Sequence, residues 1–382
     1  MHRASLWLSS AGSRTSIVVA GVCLLAFGLR LVGLQYGLPA VYNPDEVAIT
    51  ARALSFARGS LNPHNFLYPT FYFYVLFGWI GVYLAFVWLS GRVSSLQALQ
   101  QLYFTDPSGI YTAGRTLGVA AGTATVAAVY GLASRLTDRR TAVAAAIFLA
   151  VSPLAVRDSH YVKHDIPAAL MVVLAYIAMT RVWLAAQATL PRQRDTLLAA
   201  AACGAALSTH YYCVFLVIPL VLTIAHGWKR AGALATLRRL VYAGAAVALV
   251  FVALSPFLLV EPITAIRDVT ANRQIVIDRA VNAGAFAPAA RYVEMLWLDT
   301  VSWPVALLAA FGVLGMLAVA PSRAIFLLAF PVPFLLFIAN TAPASRYLNP
   351  VVPFMTLFAA WGLGFGETPA NPPAQTVFTV EE

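Results

Sequence analysis

Charged side chains are scarce in this chain of 382 residues: Asp, Glu, Lys and Arg make up 10% of it, against about 25% in an ordinary soluble domain. Hydrophobic residues make up 60%. So large an excess cannot be buried in one soluble core. It lies along the chain in apolar runs, each near the ~20 residues that span a bilayer as a helix. Because the hydrocarbon layer offers no water to backbone groups, we predict an all-α integral membrane protein.

Cysteine is equally scarce. The three cysteines, Cys23, Cys203 and Cys213, lie inside apolar runs without metal-ligand spacing, which argues against a disulfide framework or a cysteine metal site. The formal charge is +10, yet the basic residues form no clustered face or recognition motif, so we predict no nucleic-acid partner. They flank the apolar runs instead, where they act as topology signals and as contacts to anionic membrane lipids.

Short basic loops predict the topology, because Lys and Arg near the ends of spans stay on the cytoplasmic side. The strongest are 135–140, 192–194 and 229–239. No small-residue cleavage site follows the first apolar run, so we predict an uncleaved first span rather than a signal peptide. With the N-terminus inside, about ten transmembrane helices are predicted. They lie at 17–36, 113–134, 141–157, 165–185, 196–208, 211–227, 239–258, 299–320, 324–340 and 348–366.

Two segments need separate treatment. Residues 67–89 are long enough to span, but only one crossing fits between Asp45 outside and the basic loop 135–140 inside. We therefore predict that 67–89 lies in the outer interface, which suits its Tyr and Trp residues. Residues 1–366 are predicted to form one polytopic domain, and the Pro-rich, polar tail 367–382 to be disordered.

Four polar clusters fall on the outer side in this topology. The first is 43–46 (NPDE), which has the composition of a helix start: Asn43 as N-cap, Pro44 at the first helical position and Glu46 completing a capping box. Gly59 would end this helix, leaving a short interfacial helix. The functional alternative is that a carboxylate here acts as general base on an acceptor hydroxyl or amine.

The second cluster is 157–165 (RDSHYVKHD), between two apolar spans. One interpretation is a solvated loop whose Asp165 caps the next helix. Another is a site for phosphate, which cationic side chains bind well. A third is a divalent metal, because on a helix His160 and His164 at i, i+4 would offer two imidazoles beside Asp165. No third ligand is specified, so we predict no metal or other cofactor and leave that alternative open.

The remaining two clusters are 210–212 and 346–347. His210 lies between two apolar pieces that are short for a crossing, which suggests a bent hairpin with its tip near the outer side. It is either a satisfied polar residue among aromatics or a ligand-binding group. Arg346 precedes the last span, as an interfacial anchor or as a contact to a lipid-linked phosphate.

The motifs, taken in order, resemble those of the C-type glycosyltransferase superfamily, and most closely its branch of protein mannosyltransferases and lipid A aminoarabinose transferases. The likeness rests on five segments along nearly the whole chain: 43–46 (NPDE), 68–72 (YPTFY), 115–140, 152–165 and 346–353 (RYLNPVVP). Two positions depart from the family pattern. Thr209-His210 replaces the usual Thr-Lys, and Tyr68-Pro69-Thr70 replaces the usual His-Pro-Pro.

This resemblance implies transfer of a sugar from a polyprenyl-phosphate-linked donor to a lipid, glycan or protein acceptor on the outer face of the membrane. It implies a multi-pass protein of the cell (inner or plasma) membrane whose active site faces the periplasm or exterior. The implied catalytic residues are Asp45, Glu46 and Asp165. The implied substrate-binding residues are Tyr68, Asp158, His160, Lys163, His164, His210, Tyr211, Arg346 and Tyr347.

A transporter or flippase for polyprenyl-linked sugars is the alternative from another class. Transporters place ionisable residues near mid-membrane and commonly carry repeats and interrupted helices. This sequence has no evident repeat, and its ionisable groups gather at span ends. Only the hairpin at His210 favours that alternative. A non-catalytic scaffold would be favoured by the loss of Asp45 and Asp165, and both are present.

Overall fold

The computed structural model describes residues 2–281 and 287–365, with side chains for most positions from residue 15 onward. The described ranges contain helices, turns and loops but no β-strand, so the predicted all-α class is confirmed. The helices are α1 (His2–Leu31), α2 (Pro44–Ser55), α3 (Phe71–Leu89), α4 (Leu96–Thr105), α5 (Ser108–Leu136), α6 (Arg139–Ala150), α7 (Pro153–Asp158), α8 (Asp165–Ala188), α9 (Gln193–Thr209), α10 (Val217–His226), α11 (Trp228–Ala231), α12 (Ala233–Leu254), α13 (Phe257–Val260), α14 (Pro262–Val281), α15 (Ala287–Met295), α16 (Trp303–Val319), α17 (Pro321–Leu328), α18 (Pro331–Ile338) and α19 (Val352–Ala360).

Four of the described helices are long and apolar enough to cross a membrane: α3, α5, α8 and α12. Two bent pairs raise that number to 6 if each counts as one span, 287–300 with α16 (113°) and α17 with α18 (40°). Every predicted span overlaps helix, but the count of ten is not confirmed. The reason is visible at Pro153 and Pro331, where a missing N–H and a ring clash interrupt a predicted span and leave two short helices.

The helix start at Asn43 is confirmed, with one correction. The Asn43 side chain accepts a hydrogen bond from the Asp45 N–H, Pro44 is the first helical residue, and Gly59 ends the following 3₁₀ turn at φ 95°. The capping box predicted for Glu46 is wrong. Its carboxylate does not turn back to the N-cap but binds Arg115 of α5, because a buried charge is satisfied better by an opposite charge than by one backbone N–H.

The described contacts of helix α3 with α5 lie near the start of α5, at residues 109–116. The first residue of α3 follows Thr70, whose N–H donates to Ser255 at the end of α12 over 3.1 Å. Further along, the Trp79 indole N–H donates to the Ala113 carbonyl and the Thr116 hydroxyl, each at 3.0 Å. A helix spanning alongside α5 would follow it toward Leu136. The interfacial placement of 67–89 therefore stays our prediction, and these contacts favour it.

The loop 159–164 lies directly on α5, because α5 presents glycine where the two meet. A Cβ at Gly118 would come within 2.6 Å of the Ser159 carbonyl oxygen, and one at Gly122 within 2.5 Å of the Ser159 hydroxyl. Small residues of this kind let backbones approach closely in helical membrane proteins. The position of the second polar cluster is thus determined by the surface of α5. The predicted tail 367–382 lies outside the described residues.

Candidate functional site

The four predicted polar clusters meet at one end of the helix bundle. Asp45 lies at the start of α2, Lys163 in the loop before α8, His210 between α9 and a 3₁₀ turn, and Arg346 in the turn before α19. Residues more than 300 positions apart in the sequence are in contact there, as the pair Asp45–Arg346 illustrates. The fold therefore gathers scattered short motifs into one site.

Asp45 lies between two cations. Its Oδ2 is 3.1 Å from Lys163 Nζ and 3.6 Å from Arg346 Nη2. The Asp45 side chain is 39% exposed, so it borders open space, whereas Lys163 is 12% exposed. Burial would raise the pKa of Asp45, but the charges of Lys163 and Arg346 outweigh it and hold that pKa below its ordinary value. Asp45 is therefore an ionised carboxylate held by two cationic side chains.

Glu46 lies behind this group. It is fully buried, and its two carboxylate oxygens accept from Arg115 Nε (3.0 Å) and Nη2 (2.8 Å). Its Oε1 also accepts from the Val162 N–H at 2.8 Å. Arg115 in turn donates through Nη1 to the carbonyls of Leu34 (2.7 Å) and Tyr36 (2.9 Å). One buried ion pair therefore connects the turns that follow α1, the start of α2, helix α5 and the loop that carries Lys163.

Asp158 likewise faces the protein rather than open space. Its Oδ1 accepts from Arg157 Nε at 2.9 Å, and its Oδ2 accepts from Asn349 Nδ2 at 2.6 Å. Arg157 also donates to the Ser345 hydroxyl at 2.8 Å. Ser345 and Asn349 flank Arg346, so Asp158 connects the second cluster to the turn that carries Arg346.

Tyrosine and histidine rings form one wall of the site. Tyr68 stacks on His164 with ring centroids 4.2 Å apart and meets His210 edge-on at 5.3 Å. His210 stacks in turn on Tyr212 at 3.8 Å. Burial lowers the pKa of both histidines, with neighbouring positive groups adding to it, and burial raises the pKa of Tyr68. The wall therefore consists of neutral rings at neutral pH, packed beside charged groups.

Asp165 is the first residue of α8 and is 6% exposed. Its carboxyl group lies within electrostatic range of Arg346 and Lys163, the same two cations that hold Asp45. The N-cap of α8 is His164, without a side-chain hydrogen bond, so the interpretation of Asp165 as the cap is wrong. A carboxylate in the first turn still benefits from the positive end of the helix dipole.

His160 does not join the cluster. The segment 159–164 is turn and bend rather than helix, so the i, i+4 argument that placed His160 and His164 on one face fails. His160 faces the backbone of Arg30, and burial lowers its pKa. Within residues 2–281 and 287–365, no group of three or more His, Cys, Asp and Glu side chains is placed to hold a metal ion.

An apolar cavity of about 300 Å³ opens beside the ring wall. Its polar members are His210, Tyr211, Tyr212, Arg273, Thr341 and Tyr347. Tyr211 is held by a hydrogen bond from its hydroxyl to the Phe66 carbonyl at 3.0 Å, and the Tyr347 ring lies 5.0 Å from the Arg346 guanidinium. The remaining lining is hydrophobic, with Leu67, Val214, Phe215, Val269, Phe334, Phe337 and Ile338. The cavity therefore suits a long apolar group that ends at a charged head.

Three residues of this framework were not predicted from the sequence: Arg115, Arg30 and Asn349. Arg30 is fully buried and donates to Ser159 Oγ (3.2 Å) and to the carbonyls of Ala26 (3.0 Å) and Ala150 (3.1 Å). A single arginine inside an apolar span is costly and indicates a specific partner, so Arg30 and Arg115 carried a readable signal. Asn349 carried none.

The comparisons with known proteins agree with this architecture. A profile of the family described as dolichyl-phosphate-mannose-protein mannosyltransferase matches residues 110–259. A search of curated proteins finds no match. Among solved structures, ArnT from Cupriavidus metallidurans bound to undecaprenyl phosphate superposes with a TM-score of 0.62 at 16% identity. The Archaeoglobus fulgidus oligosaccharyltransferase superposes with a TM-score of 0.57 at 13% identity.

The matches cover nearly all of this chain but a smaller part of each matched protein. The match to ArnT covers 93% of this chain and 60% of that one, and the match to the oligosaccharyltransferase covers 92% and 50%. The oligosaccharyltransferase AglB from the same archaeon, in complex with an inhibitory peptide and a dolichol-phosphate, matches at 12% identity with a TM-score of 0.57. The resemblance to the C-type glycosyltransferase superfamily is thereby confirmed, at the level of the fold. The chain is a multi-pass membrane protein with that fold.

Proposed function

We propose that this protein transfers a sugar from a polyprenyl-phosphate-linked donor to an acceptor on the outer face of the cell membrane. The observation that carries the proposal is Asp45, ionised between Lys163 and Arg346 and near an apolar cavity bordered by Tyr347. The cavity suits a prenyl chain, the two cations suit a phosphate, and the carboxylate suits a general base for the acceptor. Known structures of similar fold bind undecaprenyl phosphate and dolichol-phosphate, which supports this class of donor.

In the proposed reaction, an acceptor hydroxyl or amine attacks the anomeric carbon of the donor. A bond forms between the acceptor heteroatom and that carbon, while the bond from the carbon to the phosphate oxygen breaks. The electron pair of the broken bond stays on the carrier phosphate, and the acceptor proton passes to the Asp45 carboxylate as general base. Lys163 and Arg346 stabilise the negative charge that develops on the departing phosphate.

The two cations then serve both halves of the reaction. While they contact Asp45, they neutralise it and lower its pKa, which makes it a weak base. A bound phosphate shares their charge, so their hold on Asp45 weakens and its basicity rises. Donor binding would therefore prepare the base for the acceptor. This exchange of partners needs only side-chain movement, since Asp45 is part-exposed.

Asp165, Tyr68, His164 and His210 are proposed to orient the sugar and its phosphate. Asp165 shares the electrostatic environment of Lys163 and Arg346, and a carboxylate in that position limits how far the cations move. Neutral imidazole and phenol groups donate and accept hydrogen bonds with sugar hydroxyls. The Nε2 of His164 is buried without a partner among the described residues, so it has hydrogen-bonding capacity left for a ligand.

Glu46 and Asp158 receive different roles from those implied by the family resemblance. We propose that Glu46 is a positioning residue, because both its oxygens are occupied by Arg115 and Val162. Asp158 is proposed to position Arg346 through Asn349. Neither is placed to take a proton from an acceptor.

The test is a transfer assay with purified protein in lipid vesicles, a panel of polyprenyl-phosphate sugars and membrane-extract acceptors, measuring free carrier phosphate. We expect Asp45→Asn to lower the rate by a factor of about 10² to 10⁴, the usual contribution of a general base. Asp106→Asn, the same change at an exposed acid beyond the site, is the control and should match wild type. Undiminished release by Asp45→Asn would overturn the proposal. Movement of intact carrier between leaflets without consumption would replace it with flippase activity.

A further inference from the structure

A group of arginines lies where α5 ends and α6 begins, far from the Asp45 site. Helix α5 contacts the loop 159–164 at Gly118 and ends at Leu136. The distance between these two positions along the helix is ~27 Å, at 1.5 Å per residue. At that far end the Arg323 guanidinium donates to the Leu136 carbonyl at 3.0 Å. The members of this group, called the arginine corner below, are Arg135, Arg139, Arg140, Arg181 and Arg323.

The arginine corner has no carboxylate partner among the described residues. The adjacent acid, Asp138, is occupied as the N-cap of α6: its Oδ1 accepts from the N–H groups of Arg140 (2.7 Å) and Thr141 (3.1 Å), and its Oδ2 from the Thr141 hydroxyl. No member of the corner forms an ion pair with a described Asp or Glu. An excess of positive charge at a membrane boundary attracts anionic lipid.

A groove of about 420 Å³ continues from two of these arginines along α1 and α6. Arg139 and Arg140 lie at its polar end. Its apolar lining comes from Val18 of α1 and from Val143, Ala144 and Ile147 of α6. Val18 and Ile147 are exposed, so this lining faces outward into the hydrocarbon layer. A topology signal needs only charge near a span end, whereas this groove also supplies an apolar channel aligned with that charge.

We propose that the groove binds one monoanionic phospholipid of the cytoplasmic leaflet. Its phosphate would lie between the Arg139 and Arg140 side chains, and one acyl chain would follow Val18, Val143, Ala144 and Ile147. Arginine suits this role because its planar donor pair matches two phosphate oxygens. The site is separate from the proposed reaction and uses no residue of it.

Native mass spectrometry of the detergent-purified full chain tests this site, with titration of phosphatidylglycerol and, in parallel, phosphatidylcholine. We expect wild type to retain phosphatidylglycerol in preference. Because each arginine near a phosphate contributes roughly a fivefold gain in affinity, Arg139→Gln with Arg140→Gln should weaken retention about 25-fold. Arg192→Gln with Arg194→Gln removes the same charge from another predicted cytoplasmic loop, away from the groove, and should leave it unchanged.

A second variant distinguishes binding of the lipid in the groove from a general effect of positive charge. Ala144→Trp keeps every arginine but fills the apolar channel, and we expect it to weaken phosphatidylglycerol retention while carrier release in the transfer assay stays at the wild-type rate. Three results would overturn the proposal: equal retention of the two lipids by wild type, equal losses in the two arginine pairs, or full retention by Ala144→Trp.

Discussion

Glu46→Gln is the substitution that most directly tests the assignment of Glu46 as a positioning residue. Glu46 is fully buried and accepts three hydrogen bonds, two from Arg115 and one from Val162. Glutamine keeps the shape but removes the charge and places an NH₂ group against the guanidinium. Arg115, itself 2% exposed, is then a buried cation without its counter-ion.

The magnitude follows from that unpaired charge. Removing one partner of a buried ion pair costs about 3–5 kcal/mol. About 1 kcal/mol moves the unfolding midpoint of a 150–250-residue protein by ~2–4 °C, and that of a larger chain by less. We therefore expect Glu46→Gln to lower the midpoint by roughly 5–10 °C, measured by thermal unfolding of the purified protein. Carrier release at a temperature below both midpoints should fall with it, because Asp45 and Lys163 lose their common support.

The double variant Glu46→Gln with Arg115→Leu distinguishes positioning from chemistry. It removes the unpaired cation, while the amide carbonyl introduced at position 46 still accepts from the Val162 N–H. We expect it to recover part of the lost stability, as replacing both partners of a buried pair commonly does, and part of the activity. A stable but inactive double variant would show that Glu46 takes part in the chemistry. A single variant with wild-type stability would refute the calculation itself.

Two further predictions concern the site. In the pH profile of kcat/KM, the acid limb should lie below the ordinary pKa of aspartate and move upward in Lys163→Gln, because a cation that favours ionised Asp45 is gone. A carboxyl group whose pKa is lower in the folded than in the unfolded protein stabilises the fold at pH values above its unfolded pKa. Lys163→Gln removes part of that stabilisation, so acid unfolding should also begin at higher pH in that variant. Lys229→Gln is the control, and an unmoved acid limb contradicts the assignment. Val214→Trp should raise KM about tenfold for long-chain donors and little for short-chain ones, by filling the cavity. Val221→Trp, on an exposed face of α10, should not, and equal effects on both chain lengths would argue against a prenyl site.

The class of fold followed directly from the sequence, because composition and run length leave few alternatives to membrane helices. The meeting of Asp45, Lys163, His210 and Arg346 was predictable to the extent that all four fall at the predicted outer ends of spans. The number of spans was not, since proline breaks such as that at Pro331 turn one apolar run into two short helices.

The wrong expectations share one cause, which is the reading of a local pattern without its three-dimensional neighbours. The capping box assigned to Glu46 was sound local chemistry until Arg115, distant in the sequence, supplied a stronger partner. The spacing of His160 and His164 indicated one face only if the segment were helical, and its contact with the glycine surface of α5 keeps it a loop.

The two cations of the site, Lys163 and Arg346, face two carboxyl groups, those of Asp45 and Asp165. A site of this kind projects little potential into the surrounding water, so it does not draw soluble anions from a distance. On the proposed function, we expect its cations to bind best a phosphate that is already held close by another part of the same molecule. On that function, we also expect capture of the donor to be a lateral event in the plane of the bilayer, begun by the prenyl chain, and water-soluble sugar phosphates to be poor donors without any dedicated gate.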